Sequence, residues 1–305
     1  MGRRRRSDSD LDGVLVVDKP AGPTSHDVVE RVRRASGQGR IGHTGTLDPA
    51  ATGVLVLCLG RTTKLVRFLQ AGTKTYAARI VLGVETDSQD ADGEVVATAD
   101  ASRIDERALC AALAELQGDI LQVPPMVSAL KIEGERLHDK ARRGEVVERE
   151  PRPVTVHDLV LDEFAPGERA EASFLVTCSA GTYVRTLAHD VGRMLGVGGS
   201  LVSLRRIANG PFNVDEAVAL DDIADEAAAR DALVSAEVAV ARSLPSAPVD
   251  DAEVARRLTQ GGRTSARGFD GPYALTYGAQ LVGIYRDSDG EARSELVWTR
   301  PEELV

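Results

Sequence analysis

The run Gly42-His43-Thr44-Gly45-Thr46-Leu47-Asp48-Pro49-Ala50-Ala51-Thr52-Gly53 leads straight into Val54-Leu55-Val56-Leu57-Cys58-Leu59. Its first part is rich in glycine, threonine and proline, the composition of a shaped loop. The second part has the length and apolar content of a buried strand. A loop held between regular elements is a usual seat for chemistry. Asp48 is the only carboxylate in this one.

Working outward, residues 13–18 read as a short buried strand and 19–23 as a turn. Thr24 and Asp27 have the spacing of a capping box. Val28, Val29 and Val32 give the following helix an apolar face, and Gly37 and Gly39 end it. Beyond the loop, Thr62 or Thr63 is placed to cap a helix carrying Lys64, Leu65 and Phe68. Residues 74–82 alternate as a strand, and 87–93 form a polar turn. Leu109, Ala112, Leu113 and Leu116 fall on one side of a helix over 104–116. Pro124-Pro125 breaks the chain, and 134–144 reads as a basic helix. Residues 154–161 and 172–178 read as strands, 181–195 as a helix opened by Gly181, and 200–207 as a strand. Strands and helices mix without a regular βαβ alternation. An α+β fold with a mixed, mainly antiparallel sheet is therefore expected, not a doubly wound one.

Residues 243–248 (Ser-Leu-Pro-Ser-Ala-Pro) read as a linker. It separates a large unit, 10–244, from a small β-rich unit, 247–305, with strands near 273–277, 280–285 and 293–298. The linker composition predicts that the small unit is independent.

The chain has 305 residues with 43% hydrophobic and 28% charged content, which suits a globular protein of this two-part size. No apolar run approaches the ~20 residues of a membrane helix, so no membrane partner is expected. Arg3–Arg6 are followed by Ser7, Asp8, Ser9 and Asp10 where an export signal would need an apolar stretch. They read as a disordered tail. Cys58, Cys110 and Cys178 are few, odd in number and far apart, which excludes a disulfide framework and a zinc site. A cytoplasmic location follows. His26, His138, His157 and His189 have no ligand spacing, so no metal is expected. The net charge is −10, which alone speaks weakly against a nucleic-acid partner. Basic residues nevertheless gather at 31–40, 61–67, 131–152 and 205–206, and a polyanion docking on one face responds to the local field.

The loop around Asp48 closely resembles the catalytic signature of TruB-type pseudouridine synthases. Other segments resemble that family's motifs in family order: Lys19-Pro20-Ala21-Gly22-Pro23-Thr24-Ser25, Lys74-Thr75-Tyr76, Ser179-Ala180-Gly181-Thr182-Tyr183-Val184-Arg185-Thr186-Leu187, and Leu204-Arg205-Arg206. Together they span about residues 13–210. The resemblance implies isomerisation of uridine at position 55, in the T arm of tRNA, by a monomer that uses no guide RNA.

The chemistry of the residues agrees. Moving uracil from an N- to a C-glycosidic bond involves no redox step and no external group, so no cofactor is required. Asp48 is the candidate catalytic carboxylate, and Arg185 can keep it ionised through a bidentate pair. A turn aspartate before proline and a surface arginine are their ordinary alternatives. A base inside a folded arm must leave its stack before its glycosidic bond is reachable. By resemblance, Tyr76 stacks on the flipped uracil and takes the C5 proton, while His43 fills the space the base leaves. A half-buried strand tyrosine and a loop histidine bonded to backbone are the alternatives. Tyr183 and Leu204 look like pocket walls, with an ordinary core role as competitor. Lys64 and Lys19 are read as contacting phosphate or bracing the loop.

The basic stretch within an insertion at about 124–152 matches the family's element that grips the T loop, or else is a solvated helix face. Residues past Pro248 look like a PUA-type barrel that contacts RNA. Two rivals remain. One is a guide-dependent synthase of ribonucleoprotein particles, which normally carries basic extensions. The other is a non-catalytic RNA-binding protein on the same scaffold, which would not need Asp48, Tyr76 and Arg185 together.

Overall fold

The computed structural model describes residues 9–126, 128, 131–132, 135–137, 143, 145 and 147–305. The Arg3–Arg6 tail lies outside them. The chain begins with β1 (Gly13–Lys19), α1 (Ser25–Ser36), β2 (Ile41–His43) and β3 (Thr52–Leu59). A 3-10 turn (Gly60–Leu65) leads into α2 (Val66–Leu69), β4 (Lys74–Leu82) and the ribbon β5–β6 (Val84–Thr86, Val95–Thr98). Next come α3 (Glu106–Glu115), β7 (Gly118–Gln122), the ribbon β8–β9 (Lys131–Ile132, Glu135–Arg136), β10 (Arg152–Ala165), β11 (Glu171–Cys178), α4 (Val184–Met194) and β12 (Gly199–Asn209). The large unit closes with β13 (Phe212–Asn213), β14 (Val218–Ala219), α5 (Glu226–Asp231), β15 (Leu233–Val234) and α6 (Ala236–Ser243).

Eleven strands form one mixed sheet with the path β14-β1-β3-β12-β4-β11-β10-β7, and β2, β13 and β15 attach beside it. Only β1–β14 and β3–β12 run parallel in it. The apolar runs of β1 and β3 do not alternate because both faces are covered. Leu15, Val17, Leu55 and Leu57 pack with Val28, Val29 and Val32 of α1. Val14, Val16, Val54 and Val56 pack on the opposite side. β4 does alternate: Tyr76, Ala78, Ile80 and Leu82 face a core closed by Val184, Leu187 and Val191 of α4, whereas Arg79 is exposed. The capping box of α1 is formed, with Thr24 Oγ1 accepting from the Asp27 N–H, and Gly37 ends the helix at φ +68°.

Several expectations change. Thr62 caps no helix; its N–H and hydroxyl both donate to Asp12 Oδ1, at 2.8 and 2.6 Å. Glu135–Arg136 is a strand paired with Lys131–Ile132 where the sequence predicts the start of a basic helix. Residues 134, 138–142 and 144 of that helix lie outside the described residues.

The 243–248 segment is not a free linker. Ser243 ends α6, and Ser246–Pro248 is β16, paired in parallel with a strand of the C-terminal unit. That unit adds α7 (Ala252–Leu258), β17 (Thr264–Ser265), β18 (Tyr273–Tyr277), β19 (Gln280–Ser288) and β20 (Glu291–Val297), in the sheet order β16-β18-β19-β20-β17. It has its own core around Tyr273, Leu275, Val282 and Tyr285. It also packs on the large unit: Ala274, Leu281, Ile284 and Trp298 share a cluster with residues of β1 and β3.

Candidate active site

The Asp48 loop, residues 44–51, joins the antiparallel strands β2 and β3 in the middle of the sheet. A loop of that length needs anchors, and it has them on every side. Leu47 and Ala51 are buried. Ser25 Oγ receives the Leu47 N–H at 2.8 Å and donates to the Leu47 carbonyl at 3.0 Å. Asn209 Nδ2 donates to Thr44 Oγ1 at 2.9 Å. Lys19, fully buried, donates from Nζ to the carbonyls of Pro20, Pro49 and Ala51 at 3.0, 3.0 and 2.7 Å. Arg206, 1% exposed, donates to Val54 O, Thr46 O and Gly45 O at 2.7, 3.4 and 3.1 Å. Gly53 permits this arrangement. At φ +98° it lies against the Arg206 backbone, and a Cβ there would stand 2.2 Å from Arg206 O.

With its ends fixed, the loop presents Asp48 to a cavity of about 300 Å³. The Asp48 side chain is 52% exposed, so the carboxylate is available at the cavity mouth. Arg185, 5% exposed, stands behind it with Nη2 3.4 Å from Asp48 Oδ2. The pair is not bidentate as expected. Arg185 turns Nη1 to Asp90 Oδ2 at 3.0 Å and is shared between two carboxylates. Asp90 is itself held by Ser88 Oγ at 2.6 Å. Its neighbour Gln89, at φ +68°, accepts at Oε1 from Thr186 Oγ1 at 2.7 Å, which ties this turn to α4.

Tyr76 and Leu204 line the same cavity, on β4 and β12. Tyr76 is 6% exposed, and burial pushes its phenol pKa up, with Arg206 opposing. Tyr183 lines the cavity at the start of α4. Gln122, at the end of β7, holds the Tyr183 backbone on both sides: Nε2 donates to Tyr183 O at 3.0 Å and Oε1 accepts from Tyr183 N at 2.7 Å. His43 ends β2 beside the loop and outside the cavity wall. Its Nδ1 accepts from the Gly45 N–H at 3.3 Å, and burial followed by Arg206 lowers its pKa, so the ring is neutral.

Of the two alternatives read for Lys19 and Lys64, phosphate contact or bracing of the loop, the geometry of Lys19 matches bracing: it is buried with its donors on backbone carbonyls of the Asp48 loop. Burial pushes its pKa down to about 8, against the attraction of Asp48. Lys64 is exposed and lines a separate notch between the two sheets, with Arg40, Arg61, Trp298 and Arg300. Sequence reasoning missed Asp90, Arg206, Gln122 and Lys74. Arg206 and Lys74 sit inside quoted motifs, so position there was the available signal. Asp90 and Gln122 carry none. Among the described residues no group of His, Cys, Asp and Glu could hold a metal, and no helix is long and apolar enough to cross a membrane.

Residues 33–184 match the model of the TruB family pseudouridylate synthase N-terminal domain, and residues 185–245 that of the tRNA pseudouridylate synthase B C-terminal domain. The chain belongs to the TruB family. Proteins named tRNA pseudouridine synthase B from Thermobifida fusca and Nocardia farcinica are 46% and 44% identical to it. The first match covers 87% of this chain and 90% of the relative, and the second covers all of both. Among solved structures, the chain is similar to one titled as a Cbf5-Nop10-Gar1 complex, at TM-score 0.74 and 25% identity over 96% of this chain and 86% of that one. TruB-type architecture thus extends through the C-terminal β unit, beyond the two family models. The Asp48 cavity lies where β3, β4, β12 and α4 of this fold converge.

Proposed function

We propose that this TruB-family chain converts uridine 55 in the T loop of tRNA to pseudouridine, without a guide RNA, with Asp48 as the catalytic carboxylate. The observation that carries the reading is a half-exposed carboxylate backed by a buried guanidinium at the mouth of a cavity that also has a buried tyrosine in its wall. Uridine enters by flipping out of the arm, and its ring lies against Tyr76. Arg185 holds its positive charge beside Asp48, and Asp90 sets the orientation of that guanidinium. Loop anchors from Lys19, Ser25 and Arg206 fix the carboxylate before RNA arrives, so little reorganisation remains for the chemical step.

Affinity comes from the phosphate backbone. The notch lined by Arg40, Arg61, Lys64 and Arg300 contains four cations. One nearby carboxylate, Glu303, pairs with Arg61 and Arg300. Lys64 there contacts phosphate, and the C-terminal unit acts as a PUA-like RNA-binding domain at 247–305. The catalytic unit spans 10–244, with a gripping insertion at about 124–152. A guide-free reading is supported by identities of 44–46% to proteins named tRNA pseudouridine synthase B, against 25% to the Cbf5-Nop10-Gar1 structure.

The deciding experiment is incubation with an unmodified tRNA transcript and no other RNA, followed by mapping of pseudouridine. Formation at position 55 alone is expected. No product until a guide RNA is supplied would overturn the reading in favour of the guide-dependent class.

A further inference from the structure

Lys74 precedes Tyr76 by two residues on β4, so both side chains leave the same face of the sheet, about 7 Å apart along the strand. Lys74 is 6% exposed and lines the Asp48 cavity. Its Nζ donates to Gln70 O at 3.0 Å and Gly72 O at 2.9 Å. An ammonium has three hydrogens, and no protein acceptor takes the third among the described residues. No carboxylate among the described residues pairs with it either. The charged or titratable groups that act on it are the Arg206 guanidinium of β12 and the Cys178 thiol of β11. Burial, and then Arg206, push its pKa down to about 8, which leaves it mostly protonated at neutral pH. An unpaired ammonium beside a guanidinium is costly in a buried place. Closing the 70–72 turn needs only a neutral donor, so the charge calls for another role.

The proposed reaction supplies one. Asp48 can attack C1′, add to C6 or remove the 2′ proton. In the first and third routes the C1′–N1 bond breaks, and its electron pair leaves on N1 and spreads to O2 and O4. In the second route, addition at C6 pushes a pair through C5 to O4. Every route places negative charge on the uracil ring. We propose that Lys74 Nζ donates a hydrogen bond to a carbonyl oxygen of the flipped uracil and stabilises the negative charge that grows on the ring. The ammonium transfers no proton. The electron pair returns in the new C5–C1′ bond. The Asp48 bond to C1′ or C6 breaks with its pair going back to the carboxylate, or Asp48 returns the 2′ proton. C5 then loses its proton, and N1 gains one.

This assignment rests on the uridine-isomerisation reading, and the test separates the two. The full chain and its Lys74→Met variant are compared on a T-arm stem-loop, by single-turnover rate at saturating RNA and by RNA affinity. Methionine keeps the length and apolar stem of lysine without its charge. The rate is expected to fall ~10²–10³-fold, as for loss of one preorganised donor, with affinity changed less than about threefold. A second substrate carries 5-fluorouridine at the target. Fluorine makes the ring a better acceptor of negative charge, so the deficit of the variant in converting that nucleotide should shrink at least tenfold. Lys74→Gln, which keeps a donor for the turn carbonyls, serves in place of methionine if that variant does not fold. Wild-type rates in the substituted chain overturn the assignment. So does an equal deficit on both substrates, which marks a structural role, or an affinity loss as large as the rate loss, which marks a backbone-phosphate contact. If the wild-type chain makes no pseudouridine at all, the parent reading fails instead.

Discussion

Asp48→Asn keeps the shape of the loop and removes the carboxylate charge on which the proposed chemistry rests. It is expected to abolish product while leaving RNA affinity within about tenfold, because phosphate contacts and stacking supply most of the binding. Turnover of the purified variant above a few per cent of wild type would remove Asp48 from the mechanism. Asp90→Asn tests the shared guanidinium. With Asp90 neutral, Arg185 loses the partner at 3.0 Å that fixes its Nη1. A rate loss of about 10–100-fold with unchanged affinity is expected, and an unchanged rate would show that Arg185 is oriented without Asp90. Tyr76→Phe separates ring from hydroxyl. Because burial raises the phenol pKa, the hydroxyl is neutral when it meets the C5 proton. It can take that proton only by passing its own hydrogen on. Loss of that route should cost ~10²–10⁴ in single-turnover rate, with affinity retained by the ring. Wild-type turnover by Tyr76→Phe would leave Tyr76 as a platform only. Asp48, Tyr76 and Arg185 were picked out by resemblance to family motifs, and the structure brings all three to one cavity. Asp90 was not legible, since Asp87, Asp90 and Asp92 share one polar turn and only tertiary pairing with α4 distinguishes the second.

The loop between β2 and β3 depends on elements far from it in sequence, and Lys19 shows how. Its three carbonyl partners lie on both sides of Asp48. Lys19→Met should leave those carbonyls buried without a donor, at about 1–3 kcal/mol for each unsatisfied group, partly offset by relief of the buried charge. A net loss of ~2–4 kcal/mol in urea unfolding is expected, with turnover reduced more than affinity. The pH dependence has a definite sign. Lys19 has a folded pKa near 8, below its ordinary value of 10.5, so between those limits the unfolded chain binds more protons than the folded one. Wild-type stability therefore gains from this group as pH rises through that window. The deficit of Lys19→Met should widen from pH 8 to pH 10, by up to about 1.4 kcal/mol per pH unit. A gap that stays constant or narrows would place the Lys19 pKa at its ordinary value. The strands and helices around this loop were legible from apolar periodicity and from the Thr24–Asp27 cap. Thr62 misled because a hydroxyl near a helix start has the same local signature whether it caps that helix or bonds to a distant Asp12. The 243–248 linker misled because proline and serine suit an edge strand as well as a connection.

At the scale of the whole molecule, the question is whether the C-terminal sheet is an appendage. Linker composition suggested that it is, and the packing says otherwise. Ala274, Leu281, Ile284 and Trp298 join the cluster that holds Val14, Val16, Val54 and Val56 of β1 and β3, together with Leu65, Phe68, Ala236 and Val240. Arg61 stacks on the Trp298 ring at 4.5 Å, Trp298 Nε1 donates to Glu237 at 3.4 Å, and Arg67 donates to Glu295 O at 2.8 Å. β3 also holds one end of the Asp48 loop, so the seam supports the site from below. Sequence could not reveal this, because an apolar run covered on both faces reads the same whatever covers it. Deleting 246–305 should therefore open the shared cluster and yield a chain that aggregates or melts well below the full protein. Trp298→Ala, a milder cut of the same seam, should cost about 3 kcal/mol in urea unfolding and lower turnover in proportion to the unfolded fraction. Thermal unfolding of the full chain should show one cooperative transition, because the two units share one cluster in addition to their own cores. The measurements are calorimetry of the full chain and of Trp298→Ala, beside solubility and circular dichroism of the truncation. Two separate transitions, or a truncated chain that melts like the full one, would mean that the shared cluster contributes little. The C-terminal unit would then act on RNA alone and not on the stability of the site.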